Sequence, residues 1–241
     1  MRIARRRYYD LFSHFYDRFI AIHSRRDERN TRYFLVDCAQ PERFAKPCIL
    51  DICCGTGSVI LAFAQKYPES LSVGLDFSHG MLRKAIAKDS AQIVNFIEAD
   101  AAVLPFSNDV FDVVTCSHAL YELKGQARIE ALKEMKRVVK PGGMVWVMEH
   151  EEPKDPFVKL LFRIRMSLVG SGGASGFLGT GLELFRQIFS EVQLSHTPSG
   201  KSRLVCCIKR RPVPEIKSQK NICRRHFSTL PKHQSLREDR S

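Results

Sequence analysis

This chain of 241 residues predicts a doubly wound α/β fold, a mostly parallel seven-stranded sheet with helices on both faces. Three observations lead there. Between Cys48 and His150, short apolar runs alternate with helical patterns, the order expected of β-α-β units. The apolar runs are rich in β-branched residues and nearly continuous, as befits strands covered on both faces. The length suits one sizeable domain with its own core, carrying at most small appendages.

The elements follow in order. Residues 1–44 read as an N-terminal helical cap, and 45–210 as the domain proper. Strands are expected at Cys48–Cys54, Leu71–Asp76, Val94–Asp100, Phe111–Ser117 and Met144–His150. Helices fit between them at Ser58–Lys66, His79–Asp89 and Gln126–Val139. The last is closed by Lys140-Pro141-Gly142-Gly143, a helix stop followed by a turn. Residues 151–190 read as an insertion over the site. Within it, Pro153 and Pro156 mark a loop, and Phe157–Val169 is expected to be a helix with Lys159, Arg163 and Arg165 among large apolar residues. Six glycines in positions 170–181 form a flexible segment of the kind used for lids. Strands at Val192–His196 and Leu204–Lys209 complete the sheet. Residues 211–241 are basic, polar and without periodicity, the composition of a disordered tail.

A net charge of +12 suggests a nucleic-acid binder until its distribution is read. Residues 1–32 hold 9 Arg and 4 acidic residues, and 209–241 hold 10 Lys/Arg and 3 acidic residues. The 19 basic and 19 acidic residues that remain leave the body neutral. The excess is terminal, so solvated ends are favoured over a binding footprint and no specific nucleic acid is expected. The eight cysteines include two adjacent pairs, Cys53-Cys54 and Cys206-Cys207, which cannot form a C-x-x-C metal knuckle. Free thiols, no metal and a cytoplasmic location are the expectation, because neither a secretory signal nor an apolar run of about 18 residues is present.

Ligands of an open parallel sheet bind outside the carboxyl ends of its strands. Three signals fall there. The turn Cys54-Gly55-Thr56-Gly57 leads from the first strand into a helix, and its glycines let a ligand approach the backbone. Asp51, just before it, can accept from a cationic ligand or from the turn's own amides. Asp76 ends the second strand, placed to accept both ribose hydroxyls of a nucleoside; capping the next helix is its blander role. Asp100 ends the third strand, placed to accept from the adenine amine or to cap its own loop. Together they favour a nucleoside site. A dinucleotide fingerprint would need a third glycine where Ile60 stands and a basic residue in the turn for the pyrophosphate. Acidic Asp51 and Asp76 suit instead a cationic cofactor, S-adenosylmethionine.

These segments also carry a family resemblance. Leu50-Asp51-Ile52-Cys53-Cys54-Gly55-Thr56-Gly57, Gly74-Leu75-Asp76-Phe77-Ser78, Glu98-Ala99-Asp100-Ala101 with Leu104-Pro105-Phe106, Phe111-Asp112-Val113-Val114 and Arg137-Val138-Val139-Lys140-Pro141-Gly142-Gly143 resemble the successive motifs of class I, Rossmann-like methyltransferases. The nearest group is that of the ubiquinone and menaquinone C-methyltransferases. The resemblance implies that Gly55 and Gly57 shape the methionine pocket and that Asp76 holds the ribose. It further implies that Asp100 and Ala101 meet adenine, with Ser117 and His118 flanking the methionine. Tyr16-Asp17 resembles the segment that covers the cofactor. Asp51, Cys53, Phe77 and Met81 complete the expected cofactor set. Cys53 stands where many relatives have glycine, a replacement tolerable in an ordinary β conformation.

A methyl group activated by a sulfonium asks the protein mainly for alignment and exclusion of water, with a base only where the nucleophile loses a proton. His118 is the first candidate for that base and Tyr121 the second, among Glu122, Glu149 and His150; lining the pocket is the plainer role for His118. No Pro-Pro-aromatic or Pro-Cys run follows the fourth strand, which argues for a small-molecule acceptor, aromatic or lipophilic. The Phe157–Val169 helix suits a pocket lid or a peripheral membrane contact. An RNA methyltransferase using the basic termini, or a non-catalytic S-adenosylmethionine-binding regulator, are the alternatives.

Overall fold

The computed structural model describes residues 28–151 and 182–211, together with Tyr9, Asp10, Pro156 and Leu160. The expected Phe157–Val169 helix, the glycine-rich 170–181 segment and the tail lie outside these residues.

Helix α1 (Glu28–Ala39) and a 3-10 turn at Pro41–Arg43 precede the sheet. Then come β1 (Cys48–Ile52), α2 (Ser58–Lys66), β2 (Leu71–Asp76), α3 (His79–Lys88), β3 (Val94–Glu98) and β4 (Phe111–Ser117). A second 3-10 turn (Leu120–Glu122), α4 (Gln126–Val138), β5 (Val139–His150), β6 (Glu191–His196) and β7 (Ser202–Ile208) follow. Residues 182–188 are helical. The strands form one sheet in the order β3-β2-β1-β4-β5-β7-β6. Strands β1 to β5 pair in parallel, while β7 runs antiparallel to both β5 and β6. The seven-stranded, doubly wound architecture is the one the sequence predicts.

Successive strand residues point to opposite faces, and here both faces are buried. Leu50, Val114, Val145, Val205 and Cys207 pack on one side with Leu132 and Met135 of α4 and with Phe185 and Phe189. Their neighbours Ile49, Val113, Met144, Leu204 and Cys206 pack on the other with Ile60 and Phe63 of α2 and Leu35 and Val36 of α1. Ile60, standing where a dinucleotide fold would need glycine, is a fully buried core residue. In α4 the buried positions Ala131, Leu132, Met135 and Val138 trace a single helical stripe.

Several boundaries differ from expectation: the third strand ends at Glu98 and not Asp100, the last runs Ser202–Ile208 and not Leu204–Lys209, and two further differences fall at turns. The first strand stops at Ile52, two residues early, because Cys53 turns the backbone to a φ of 56°. The Lys140–Gly143 turn instead belongs to β5. Its pairing with β4 jumps from Phe111↔Val139 to Val113↔Met144, a bulge that absorbs the extra residues. Gly142 N–H donates to the Lys209 carbonyl (2.6 Å) and Lys209 N–H to the Gly143 carbonyl (3.2 Å), so the bulged backbone stays paired.

Candidate functional site

The carboxyl ends of β1, β2, β4 and β5 meet at one edge of the sheet, and the acidic and histidine side chains gather there. Asp51, one residue before the end of β1, is 1% exposed and accepts a hydrogen bond from Thr115 Oγ1 (2.7 Å). The turn that follows takes three left-handed residues, Cys53, Gly55 and Gly57, with φ of 56°, 55° and 76°. Cys53 therefore does not keep the β conformation expected for a side chain there; the turn imposes on it the backbone that glycine would adopt freely. Gly57 has a second constraint, since an added β-carbon would sit 3.0 Å from Ala85 Cβ. Lys88 of α3 reaches the turn, donating to Thr56 Oγ1 (2.8 Å) and the Thr56 carbonyl (3.3 Å). The sequence, which offers no cation within the turn itself, gave no sign of this contact.

Asp76 ties the second strand to that turn. Its Oδ2 accepts the Gly55 N–H and its Oδ1 the Ser78 N–H, both at 2.9 Å. The helix cap is Ser78, whose hydroxyl accepts the Met81 N–H at 3.2 Å, leaving Asp76 to organise the strand end. Burial raises the Asp76 carboxyl to about 6, opposed by the Ser78, Gly55 and Phe77 amides and assisted by nearby Asp10. Met81 is buried in the first turn of α3 and Phe77 is half-buried at the rim. Asp100 accepts the N–H of Ala102 (2.9 Å), the loop-capping role, beside buried Ala101.

Tyr16 and Asp17 lie outside the described residues. The Tyr-Asp pair that the structure does place at the site is Tyr9-Asp10. Asp10 Oδ1 accepts from Ser78 Oγ (2.7 Å) and Gly80 N–H (2.8 Å). The Tyr9 ring meets Phe77 edge-on with centroids 5.6 Å apart, and its hydroxyl donates to Glu122. Tyr9 thus joins the end of β2 to the turn after β4. The signal for it was present: Tyr-Asp-x-Phe occurs twice, at 9–12 and 16–19.

On the β4–β5 side, Ser117 ends β4 and His118 follows it. His118 has a φ of 51°, and its N–H donates to the Met148 carbonyl (2.7 Å). Its ring stacks on His150 of β5, with centroids 4.2 Å apart and planes at 29°. Tyr121 stands 5.9 Å from the His150 ring. Beneath them Glu149 is 1% exposed, and its Oε1 accepts the Tyr121 N–H (3.2 Å). Burial pushes this carboxyl to about 8, against the opposing pull of the Tyr121 amide, Arg203 and Arg128. Arg128 donates to the carbonyls of Leu120 (3.2 Å) and Tyr121 (2.9 Å), so the 120–122 turn is held through both its N–H and its C=O groups. The thiols of half-buried Cys54 and buried Cys116 are held well above their ordinary range, Cys54 chiefly by desolvation of its sulfur and Cys116 chiefly by its hydrogen bond with Cys53.

The site therefore offers carboxylates, backbone amides and a histidine pair. Among the described residues, no group of three or more His, Cys, Asp or Glu is arranged to hold a metal. No helix among them is long and apolar enough to cross a membrane.

Residues 49–143 match a family model described as a methyltransferase domain. Over 116 residues the chain is 41% identical to a demethylmenaquinone methyltransferase of Lysinibacillus sphaericus, covering 47% of this chain and 49% of that protein. The chain spans about half the length of the curated relatives it matches. The fold is shared with the YcgJ protein of Bacillus subtilis (TM-score 0.52, 22% identity, 76% of this chain and 100% of that one). It is shared too with a Haemonchus contortus phosphoethanolamine N-methyltransferase in complex with S-adenosyl-L-methionine (TM-score 0.59, 15% identity, 76% and 53%).

Proposed function

We propose that this chain, which carries a class I methyltransferase domain of the menaquinone/ubiquinone C-methyltransferase type over residues 49–143, transfers a methyl group from S-adenosylmethionine to an aromatic or lipophilic small molecule. The observation that carries this reading is the junction of Asp76 with the glycine turn. One buried carboxylate holds the Gly55 and Ser78 amides and keeps lone pairs for a ligand's hydroxyls. Asp51 and Asp76 make the floor acidic, which fits a cationic methyl donor. Gly55, Gly57, Asp76, Phe77, Asp100, Ala101, Ser117 and His118 are the residues proposed to hold it. The donor supplies an already activated methyl group. The chain's part is to fix both partners in line and keep water out, effects together worth roughly 7–11 kcal/mol.

Calorimetry with S-adenosylmethionine tests the reading on parent protein and Asp76→Ala. Binding in the parent, weakened by about 1.5–3 kcal/mol in the variant, is the size of a lost charge-assisted hydrogen bond. In the parent, affinity should also rise with pH through about 6 as the Asp76 proton leaves, since the ribose hydroxyls need the charged acceptor. A folded parent that binds no S-adenosylmethionine overturns the proposal. Binding without turnover on any acceptor would leave a regulator rather than an enzyme.

A further inference from the structure

The glycine turn between β1 and α2 is gripped from two sides. One hydrogen bond closes within it, from the Gly57 N–H to the Cys54 carbonyl (2.9 Å). Strand β2 holds one flank, where the Cys54 N–H donates to the Leu75 carbonyl and the Gly55 N–H to Asp76 Oδ2, both at 2.9 Å. Helix α3 holds the other. Met81, Ala85 and Lys88 follow one another at spacings of four and three residues, so they form one stripe of that helix. Ala85 lies under Gly57, close enough that a β-carbon added to the glycine would sit 3.0 Å from its Cβ. Lys88 ends the stripe, and its Nζ donates to Thr56 Oγ1 (2.8 Å) and to the Thr56 carbonyl (3.3 Å).

Thr56 stands between two left-handed glycines and is 2% exposed. Glycine takes left- and right-handed backbone about equally well, so neither neighbour by itself fixes the peptide planes on either side of Thr56. A cation that engages both the carbonyl and the side chain of the residue between them sets a rotation that a single contact would leave open. The setting carries straight into α2, whose cap position is Gly57 and brings no side-chain hydrogen bond to the first turn. The last turn of α3 favours a cation wherever its ammonium points. The reach of exposed Lys88 to Thr56 therefore serves the turn and not α3.

We propose that Lys88 is a positioning residue for the methyl donor, acting through Thr56 to hold the glycine turn in the shape that receives the donor's amino-acid end. This rests on the methyltransferase reading above, in which the ribose falls to Asp76 and the adenine to Asp100 and Ala101. The grip is local to the turn. Its loss is felt by ligands that carry the amino-acid portion, and not by a nucleoside that ends at the 5′ sulfur. The position calls for a charged donor with more than one N–H, so arginine can serve there and an apolar side chain of equal length cannot.

The test compares the full chain with Lys88→Met and Lys88→Arg. Calorimetry with S-adenosylhomocysteine should show binding at least about tenfold weaker in Lys88→Met, the size of a lost charge-assisted hydrogen bond. Affinity for 5′-methylthioadenosine, measured by displacement of S-adenosylhomocysteine, should stay within about twofold, and Lys88→Arg should bind both within about threefold of the parent. Without any ligand, amide exchange over residues 55–59 should quicken at least about tenfold in Lys88→Met while that of β4 and β5 is unchanged. Equal weakening of both ligands overturns the proposal, because a general loss of structure would act on each alike. Unchanged affinity for S-adenosylhomocysteine, or unchanged exchange in the turn, overturns it as well. A folded parent that binds neither ligand overturns the methyltransferase reading, and the exchange rates then still decide whether Lys88 holds the turn.

Discussion

Cys53 and Glu149 each occupy a position that is costly for their residue type, and each makes a measurable prediction. A β-carbon at left-handed φ costs about 1–2 kcal/mol relative to glycine, and branching at that carbon adds to the clash. Cys53→Val should therefore lower unfolding free energy by about 2 kcal/mol in urea, whereas Cys53→Gly should stay within about 1 kcal/mol of the parent. For Glu149 the native carboxyl holds its proton up to about pH 8, far above its ordinary value of 4.5. The folded state binds that proton more tightly than the unfolded chain. Its contribution is fully present below pH 4.5 and is lost as pH rises through 8. Glu149→Gln, which cannot ionise, should match the parent near pH 5 and exceed it in stability at pH 8–9, by on the order of 4 kcal/mol at most. A constant difference across that range in denaturant titrations would show that the group does not titrate as described.

Between β3 and β4 the chain crosses the sheet edge without regular structure, and a single arginine of α4 organises it. Arg137 donates to the carbonyls of Phe106 (2.7 Å) and Leu104 (3.1 Å) and to Asn108 Oδ1 (3.0 Å), while forking onto Glu134. Glu134 in turn accepts the Leu104 N–H (2.7 Å). Arg137→Met should cost about 2–4 kcal/mol, measured by urea unfolding, because it strands several partly buried acceptors at once. Arg137→Lys should restore only part, since an ammonium cannot fork. Elements of this kind mark the limit of what the sequence shows. The helices at 58–66 and 126–138 and the strands at 71–76 and 111–117 were legible, because apolar periodicity and punctuation by Gly, Pro and Ser are local properties. The bulge in β5 was not, since the Lys140–Gly143 backbone is paired by Lys209, almost seventy residues away. Within the site, Asp51, Asp76 and the glycine turn could be read from spacing. The burial of Glu149 and the stacking of His118 on His150 could not, because both depend on which strands become neighbours.

Taken whole, the sheet is a lamina with cores on both faces, and its parallel half is assembled in the order of the chain only outward from β1. The antiparallel end is different. β7 lies between β5 and β6, pairing with β5 from Met144↔Ile208 to His150↔Ser202 and with β6 from Glu191↔Ile208 to His196↔Arg203. A protein truncated after residue 201 should lack not one strand but two, because β6 has no other partner. It should expose the apolar flank of β5 and recover from expression as aggregate. Soluble, monomeric truncated protein with native-like circular dichroism would contradict this.

The interior position of β7 has a consequence for synthesis. As the chain leaves the ribosome, strands β1 to β5 can pair before β7 is made, but the edge of β5 waits open until residues 202–208 emerge. Arg203, which faces Glu149 across that final seam, arrives with them. Until then the buried acid lacks the cation that offsets part of its isolation. Assembly of the sheet beyond β5 and electrostatic completion of its histidine-bearing corner therefore coincide in one event, so a nascent chain completes this corner at about the moment it covers the apolar edge of β5.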